Sequence, residues 1–181
     1  MNWFKRFINL LRRPFKKKSS RKSNKNINTI QMANAELLPH VVQLLQDGHT
    51  VTLPLRGNSM RPFLRDGRDK ALLERIDGQP AVGDAVLAEI MPSIYVLHRI
   101  VAIDSEGNVT MRGDGNLNAE HCHLRDIRAK ATAFFRKGRE KPDKTSGRKW
   151  RIYSWWWTRL LPIRRYLLFI LYPHFPARML R

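Results

Sequence analysis

The chain has 181 residues, 34 Lys/Arg against 15 Asp/Glu, a formal net charge of +19 and 43% hydrophobic residues. That length suits one domain with a real core plus tails, and the hydrophobic share, with only ten Gly and ten Pro, excludes a fibrous or wholly disordered chain. Residues 1–30 hold ten Lys/Arg and no acid, residues 136–181 hold thirteen against two, and the middle holds eleven against thirteen. A near-neutral domain between two cationic tails is expected, drawn to anionic surfaces such as lipid or nucleic acid.

In the first segment Trp3, Phe4, Phe7, Ile8, Leu11 and Phe15 recur at helical spacing with Lys5, Arg6, Arg12 and Arg13 between them. Aromatic and cationic faces so arranged suit a helix lying in a membrane interface. The interrupting cations, and the lack of a small-residue cleavage site, argue against a secretory signal. Residues 16–30 are Lys/Ser/Asn-rich and read as a flexible linker. Asn34 reads as an N-cap to an apolar stripe from Leu37 to Leu45 closed by Gly48, which predicts a helix over 34–47, with Pro39 kinking its first turn or marking its start.

From Thr50 the period changes to that of strands: Thr50–Leu55, Lys70–Glu74, Ala85–Ile90, Tyr95–Asp104, Val109–Arg112 and Ile127–Arg136, with a hairpin around Glu106-Gly107-Asn108. The pattern is mainly β, without βαβ alternation. A polar linker is expected from Gly138 to Lys149. Trp150, Tyr153, Trp155, Trp156 and Trp157 then cluster before Pro162, which opens a second short helix, Ile163 to Leu171. These rings suit either a membrane interface or packing onto the β core, and the two are compatible. The best apolar run, Tyr166 to Tyr172, is too short to span a bilayer and is closed by Pro173 and Pro176. The organisation expected is a basic amphipathic leader and linker (1–31), a core (32–137, with the β part over 50–136) and a basic, Trp-rich helical tail (138–181). Both tails would tether the chain peripherally to anionic lipid, on the cytoplasmic face. Interleaved aromatics favour lipid over nucleic acid as the partner.

Chemistry concentrates in Arg56-Gly57-Asn58-Ser59-Met60-Arg61-Pro62-Phe63-Leu64, where a serine follows Gly and Asn at the end of an apolar strand. A serine hydroxyl needs an adjacent base, and imidazole is the side chain best matched to proton transfer near neutral pH. His98 lies in a strand that otherwise reads as core. Alone, the pair is weak evidence and reads first as two ordinary structural residues. His121, Cys122 and His123 invite a metal reading, but no second Cys/His cluster completes a four-ligand set, so neither metal nor cofactor is expected. The lone Cys122 permits no internal disulfide.

The order of the segments GNSMRPFL, Gly83-Asp84 before AVLAEI, LHRIV at 97–101 and GDGN at 113–116 resembles that of the signal peptidases and, more widely, the LexA-related serine peptidases. The resemblance spans about 57–116 and omits both tails. It implies a coiled β-sheet core with one N-terminal helix and short C-terminal helices. It also implies an endopeptidase that cleaves a leader-type segment from a precursor polypeptide. Ser59 would be nucleophile and His98 its base, as in the eukaryotic and archaeal-type branch, where histidine replaces lysine. Asp114 matches the aspartate of the Gly-Asp box, and Glu120 falls where the histidine-type enzymes carry a second acid. Glu120 is favoured as the orienter of His98 and Asp114 as site support, with a plain turn-capping role for Asp114 left open. Arg99 is expected as an ion-pair partner beside the site and Met60 as an apolar plug beneath the serine.

The hydroxyl that the family often carries two residues before the nucleophile is Gly57 here. The Ser59 N–H would therefore share the oxyanion role with another donor, such as the Asn58 amide. Two rival readings remain: a self-cleaving regulator of the LexA type, and a non-catalytic basic protein that binds membrane or nucleic acid. The first is disfavoured by histidine at the base position and by the lack of a helix-turn-helix before residue 50.

Overall fold

The computed structural model describes residues 34–171. The leader and linker expected over 1–31 lie outside the described residues, as does the chain after Leu171.

Helix α1 (Asn34–Gln46) runs through Pro39 without a break. It buries Leu38, Val41, Val42 and Leu45 against the sheet, on β7 (Ile127–Phe135) and β1 (Val51–Pro54). Gly48, with φ of +84°, ends it: its own N–H reaches Leu45 O and that of His49 reaches Leu44 O. Such a turn needs the left-handed region, which a residue without Cβ enters freely.

The remaining strands are β2 (Lys70–Glu74), β3 (Ala85–Met91), β4 (Ile94–Ile103), β5 (Asn108–Arg112), β6 (Glu120–His123) and β8 (Asp143–Lys144). All pair antiparallel in one eight-stranded sheet of order β1-β2-β7-β3-β4-β5-β6. β7 carries β2 along one edge, and β3 followed by β8 along the other. Bulges at Leu72/Leu73, Leu87/Ala88, Glu89/Met91 and Ile100/Ala102 interrupt the ladder. Each adds local twist and bends its strand. One core cluster, Val86, Ala88, Ile100, Val109 and Met111, lies between β3, β4 and β5, with Cys122 and Leu124 packed against it.

The expected strands all form, with ends shifted by a residue or so, and two elements were not expected. β6 has the sequence Glu-His-Cys-His, in which only Cys122 carries an apolar signal. It is a strand because it closes the free edge of β5. The stretch 138–149, expected as a polar linker, holds β8 and the first turn of α2 (Arg148–Arg159). Asp143 orders it, accepting hydrogen bonds from Arg136 Nε at 2.6 Å, Lys149 Nζ at 2.6 Å and Arg139 Nη1 at 3.2 Å.

After α2 a 3-10 turn (Leu161–Ile163) leads into α3 (Arg164–Leu171). One face of α2 buries Trp150, Tyr153, Ser154 and Trp157. Phe63 sits 5.0 Å from the Trp150 ring and 4.8 Å from Tyr153, and Phe134 4.7 Å from Trp150. This part of the tail is thus integral to the domain. Among the described residues no helix is long and apolar enough to cross a membrane.

Burial works against ionisation of Asp143, but the hydrogen bonds and charges of Lys149 and Arg136 outweigh it and hold the carboxyl below its ordinary value. A carboxylate depressed on folding stabilises the fold above its unfolded pKa, and that contribution disappears as pH falls through the folded value. Asp143→Asn is therefore expected to lower the thermal midpoint at neutral pH and to flatten the loss of stability below about pH 4. Calorimetry of both proteins across that range checks it.

Candidate active site

Ser59 lies in the turn that follows β1. Gly57, with φ of +84°, donates its N–H to Asp66 Oδ1 at 2.9 Å, and Leu55 and Gly67 close the base of the loop through a 2.9 Å backbone bond. Arg61 N–H reaches Asn58 O at 3.1 Å and Leu64 N–H reaches Met60 O at 3.0 Å, winding the chain tightly around the serine. Met60, Phe63 and Leu64 are buried and anchor the turn, while Ser59 itself stays half-buried.

Two glycines hold this turn against the end of β5. Gly115 N–H donates to Ser59 O at 2.7 Å. A Cβ on Gly115 would lie 2.7 Å from Asn58 O, and one on Gly113 would lie 2.5 Å from Ser59 O and 3.0 Å from Ser59 Cβ. Real side chains do not approach a backbone oxygen that closely, so glycine is required at both positions for the serine turn to sit where it does.

Strand alternation places His98. Arg99 pairs with Arg112 and Ile100 with Met111 across β4 and β5, so one step further sets His98 opposite Gly113. Directly opposed residues of an antiparallel pair point to the same face. His98 and Ser59, the latter occupying the space beside Gly113, therefore share a face. Cross-strand Cβ atoms on one face lie about 5 Å apart, which brings the Ser59 and His98 Cβ atoms within about 8 Å. Among the described residues no hydrogen bond joins the two side chains directly; Gly113 is the element common to both.

Glu120 of β6 pairs with Met111, so it too lies on this face. The buried His98 presents Nδ1 to Glu120 Oε2 in direct hydrogen-bond contact. With its proton on Nδ1, facing the carboxylate, the imidazole keeps Nε2 as the nitrogen able to accept a proton.

Alternation sends the other acid elsewhere. Arg99 follows His98 and lies on the opposite face, where Asp114 receives its Nε and Nη2, each at 2.8 Å, in a bidentate pair buried on both sides. Arg99 Nη1 donates to Gly83 O at 2.9 Å and to Ser154 Oγ. Tyr153 OH donates to Asp114 Oδ2 at 2.9 Å, and Trp157 Nε1 to Asp114 O at 2.8 Å. Burial opposes the Arg99 charge, yet the Asp114 carboxylate more than offsets it and raises its pKa. Burial, with Asp114 beside it, also pushes the Tyr153 hydroxyl well up, so that it remains a donor. Asp114 is thus part of the scaffold under the site, and Glu120 is the acid that touches the histidine.

Tyr153, Ser154 and Trp157 complete that scaffold from α2 and carried no signal as site residues. Trp150, Tyr153 and Trp157 were legible in the sequence only as members of an aromatic cluster, without the three-to-four-residue spacing being assigned a destination. His121 and His123 point away from the site: His121 Nδ1 lies 3.3 Å from Thr110 Oγ1, and the His123 ring accepts Arg125 N–H at the start of the Leu124–Asp126 turn. Cys122 faces the core, where burial raises its thiol pKa. Asn58 Oδ1 is buried without a hydrogen-bond partner. That oxygen, an acceptor, thus lies in the residue next to Ser59 with its capacity unused.

No family model, curated protein or solved structure matches this chain. Gly113→Ala tests the placement directly. The added methyl must displace the serine turn while leaving His98, Glu120 and the buried Arg99–Asp114 pair in place. The protein is expected to fold cooperatively and to lose reactivity at Ser59 by about a hundredfold, the effect of misplacing a reacting group by about 1 Å. Denaturant unfolding alongside acylation kinetics separates the two effects.

Proposed function

We propose that the chain is a serine endopeptidase built on a signal-peptidase-like coiled sheet, cutting a leader-type segment from a precursor polypeptide. The observation that carries this reading is the convergence of Ser59, His98 and Glu120, from three separate elements, on one face at the end of β5. The order of the Ser-Met, Gly-Asp, His-Arg and Gly-Asp-Gly segments along the chain supports it independently.

In the reaction His98 Nε2 takes the proton from Ser59 Oγ as the oxygen attacks the scissile carbonyl. Glu120, hydrogen-bonded to Nδ1, holds the ring in the reactive tautomer and stabilises the imidazolium that forms. The tetrahedral oxyanion accepts hydrogen bonds from the Ser59 N–H and from the Asn58 amide, a neighbouring donor group. Collapse breaks the C–N bond, and His98 returns its proton to the departing amine. Water, deprotonated in turn by His98, then attacks the acyl-serine ester; the C–Oγ bond breaks, His98 returns the proton to Ser59 Oγ, and the new carboxylate leaves. Arg99 and Asp114 take no part in proton transfer. They fix the turn against which Ser59 packs.

Incubation of the full chain with a diverse peptide library, read by mass spectrometry, tests the reading. New termini at a consistent sequence are expected from wild type and from neither Ser59→Ala nor His98→Ala. Glu120→Gln is expected to retain the same cleavage sites with a rate lowered by about 10²- to 10⁴-fold, since the ring loses its orienting charge but not its place. Cleavage that persists unchanged in Ser59→Ala would overturn the assignment.

A further inference from the structure

The inner face of α2 is fully used by the domain, and its outer face has a different composition. At 100° per residue, Trp150, Tyr153, Ser154 and Trp157 fall on one side, while Arg148, Arg151, Ile152, Trp155 and Arg159 fall on the other. Trp155 and Ile152 are each 51% exposed. Exposed apolar side chains continue beyond the 3-10 turn, while Arg164 turns inward and is buried. α3 buries Leu168 and presents Tyr166 at 68% and Phe169 at 61% exposure, with Ile163 exposed just before it. No acidic residue occurs anywhere after Asp143 in the sequence.

An exposed row that mixes large apolar side chains with arginines, and contains no acid, matches the surface of a bilayer with anionic headgroups. Tryptophan and tyrosine settle at the headgroup level because their rings are apolar and their N–H or O–H groups polar. Arginine provides charge for headgroup phosphates, and the guanidinium forms planar bidentate hydrogen bonds to them. Arg148, Arg151, Ile152, Trp155 and Trp156 together line a shallow hollow of about 340 Å³, with cationic and aromatic walls. The Arg159 guanidinium stacks 4.5 Å above the Trp155 ring, so charge and aromatic surface are presented together. Nucleic acid would use the arginines and could stack bases on the aromatic rings, but it would leave the exposed Ile152 and Ile163 without a role.

We infer that the outer face of α2 and the exposed row of α3 form a docking surface for an anionic membrane, peripheral rather than spanning. The inference stands apart from the catalytic reading, because none of these residues belongs to the site around Ser59. It makes the helical tail bifunctional: one side of α2 supports the Arg99–Asp114 scaffold and the other meets lipid.

Co-sedimentation of the full chain with vesicles tests it, using phosphatidylcholine alone and phosphatidylcholine with phosphatidylglycerol. Binding is expected only to the anionic vesicles and is expected to survive in part at high salt, because apolar burial is not screened. Trp155→Ser/Phe169→Ser, with unchanged circular dichroism and unfolding midpoint, is expected to bind at least about tenfold more weakly. Brominated acyl chains should quench tryptophan emission in wild type and clearly less in Trp155→Phe/Trp156→Phe. Equal binding by wild type and the serine variant would overturn the inference, since another segment would then carry the contact. So would binding abolished entirely by salt and reproduced by a short DNA duplex.

Discussion

A buried guanidinium must find its partners in the protein, and Arg99, on β4, finds them in three other parts of the chain. Its bidentate bond to Asp114 holds the turn after β5. Its remaining nitrogen reaches Gly83 before β3 and Ser154 on α2. Removing one member of such a pair leaves an uncompensated charge in the interior, with a cost of about 3–5 kcal/mol, so the four parts are coupled strongly. The turn it fixes is the one whose glycines receive the serine loop. Geometry at Ser59 is therefore set by an ion pair on the far side of the strand.

β4 divides the labour between its two faces through two consecutive residues. His98 points toward the serine and Glu120, and Arg99 toward Asp114 and the aromatic side of α2. A period of two makes this division strict, because a one-residue slip in register would send histidine to the scaffold and arginine to the serine. The bulge between Ile100 and Ala102 lies just beyond this region, leaving the register at 98–100 undisturbed. The His98–Glu120 contact and the Arg99–Asp114 ion pair are thus adjacent in sequence and separated by the thickness of the sheet.

Much of this was legible in the sequence because alternation and punctuation are local. β5 follows from Val109 and Met111 at alternate positions between Asn108 and Gly113, and β2 and the long β4 follow from short apolar runs bounded by polar residues and Pro/Ser/Asp punctuation. Gly57-Asn58-Ser59-Met60 reads as a turn with an accessible hydroxyl. What was not legible depends on partners distant in the chain. β6 has almost no apolar pattern of its own and exists because β5 offers it an edge, yet it delivers Glu120. Whether Asp114 or Glu120 meets His98 is decided by register across β5, which spacing alone does not reveal. The aromatics of α2 were visible as a cluster, but which of them are buried against Phe63, Phe134 and Arg99 needed the folded sheet. The role of Gly113 and Gly115 as seats for the serine turn is likewise a matter of contact rather than of local preference.

The central claim is that this scaffold activates one serine among the polar residues of the domain. Intact-mass analysis of the full chain after exposure to a fluorophosphonate, followed by peptide mapping, measures that directly. The account predicts a single adduct per chain, mapped to the peptide containing Ser59 and absent when His98 is replaced by alanine. An unmodified chain that is fully folded, or an adduct on a different residue, would contradict it.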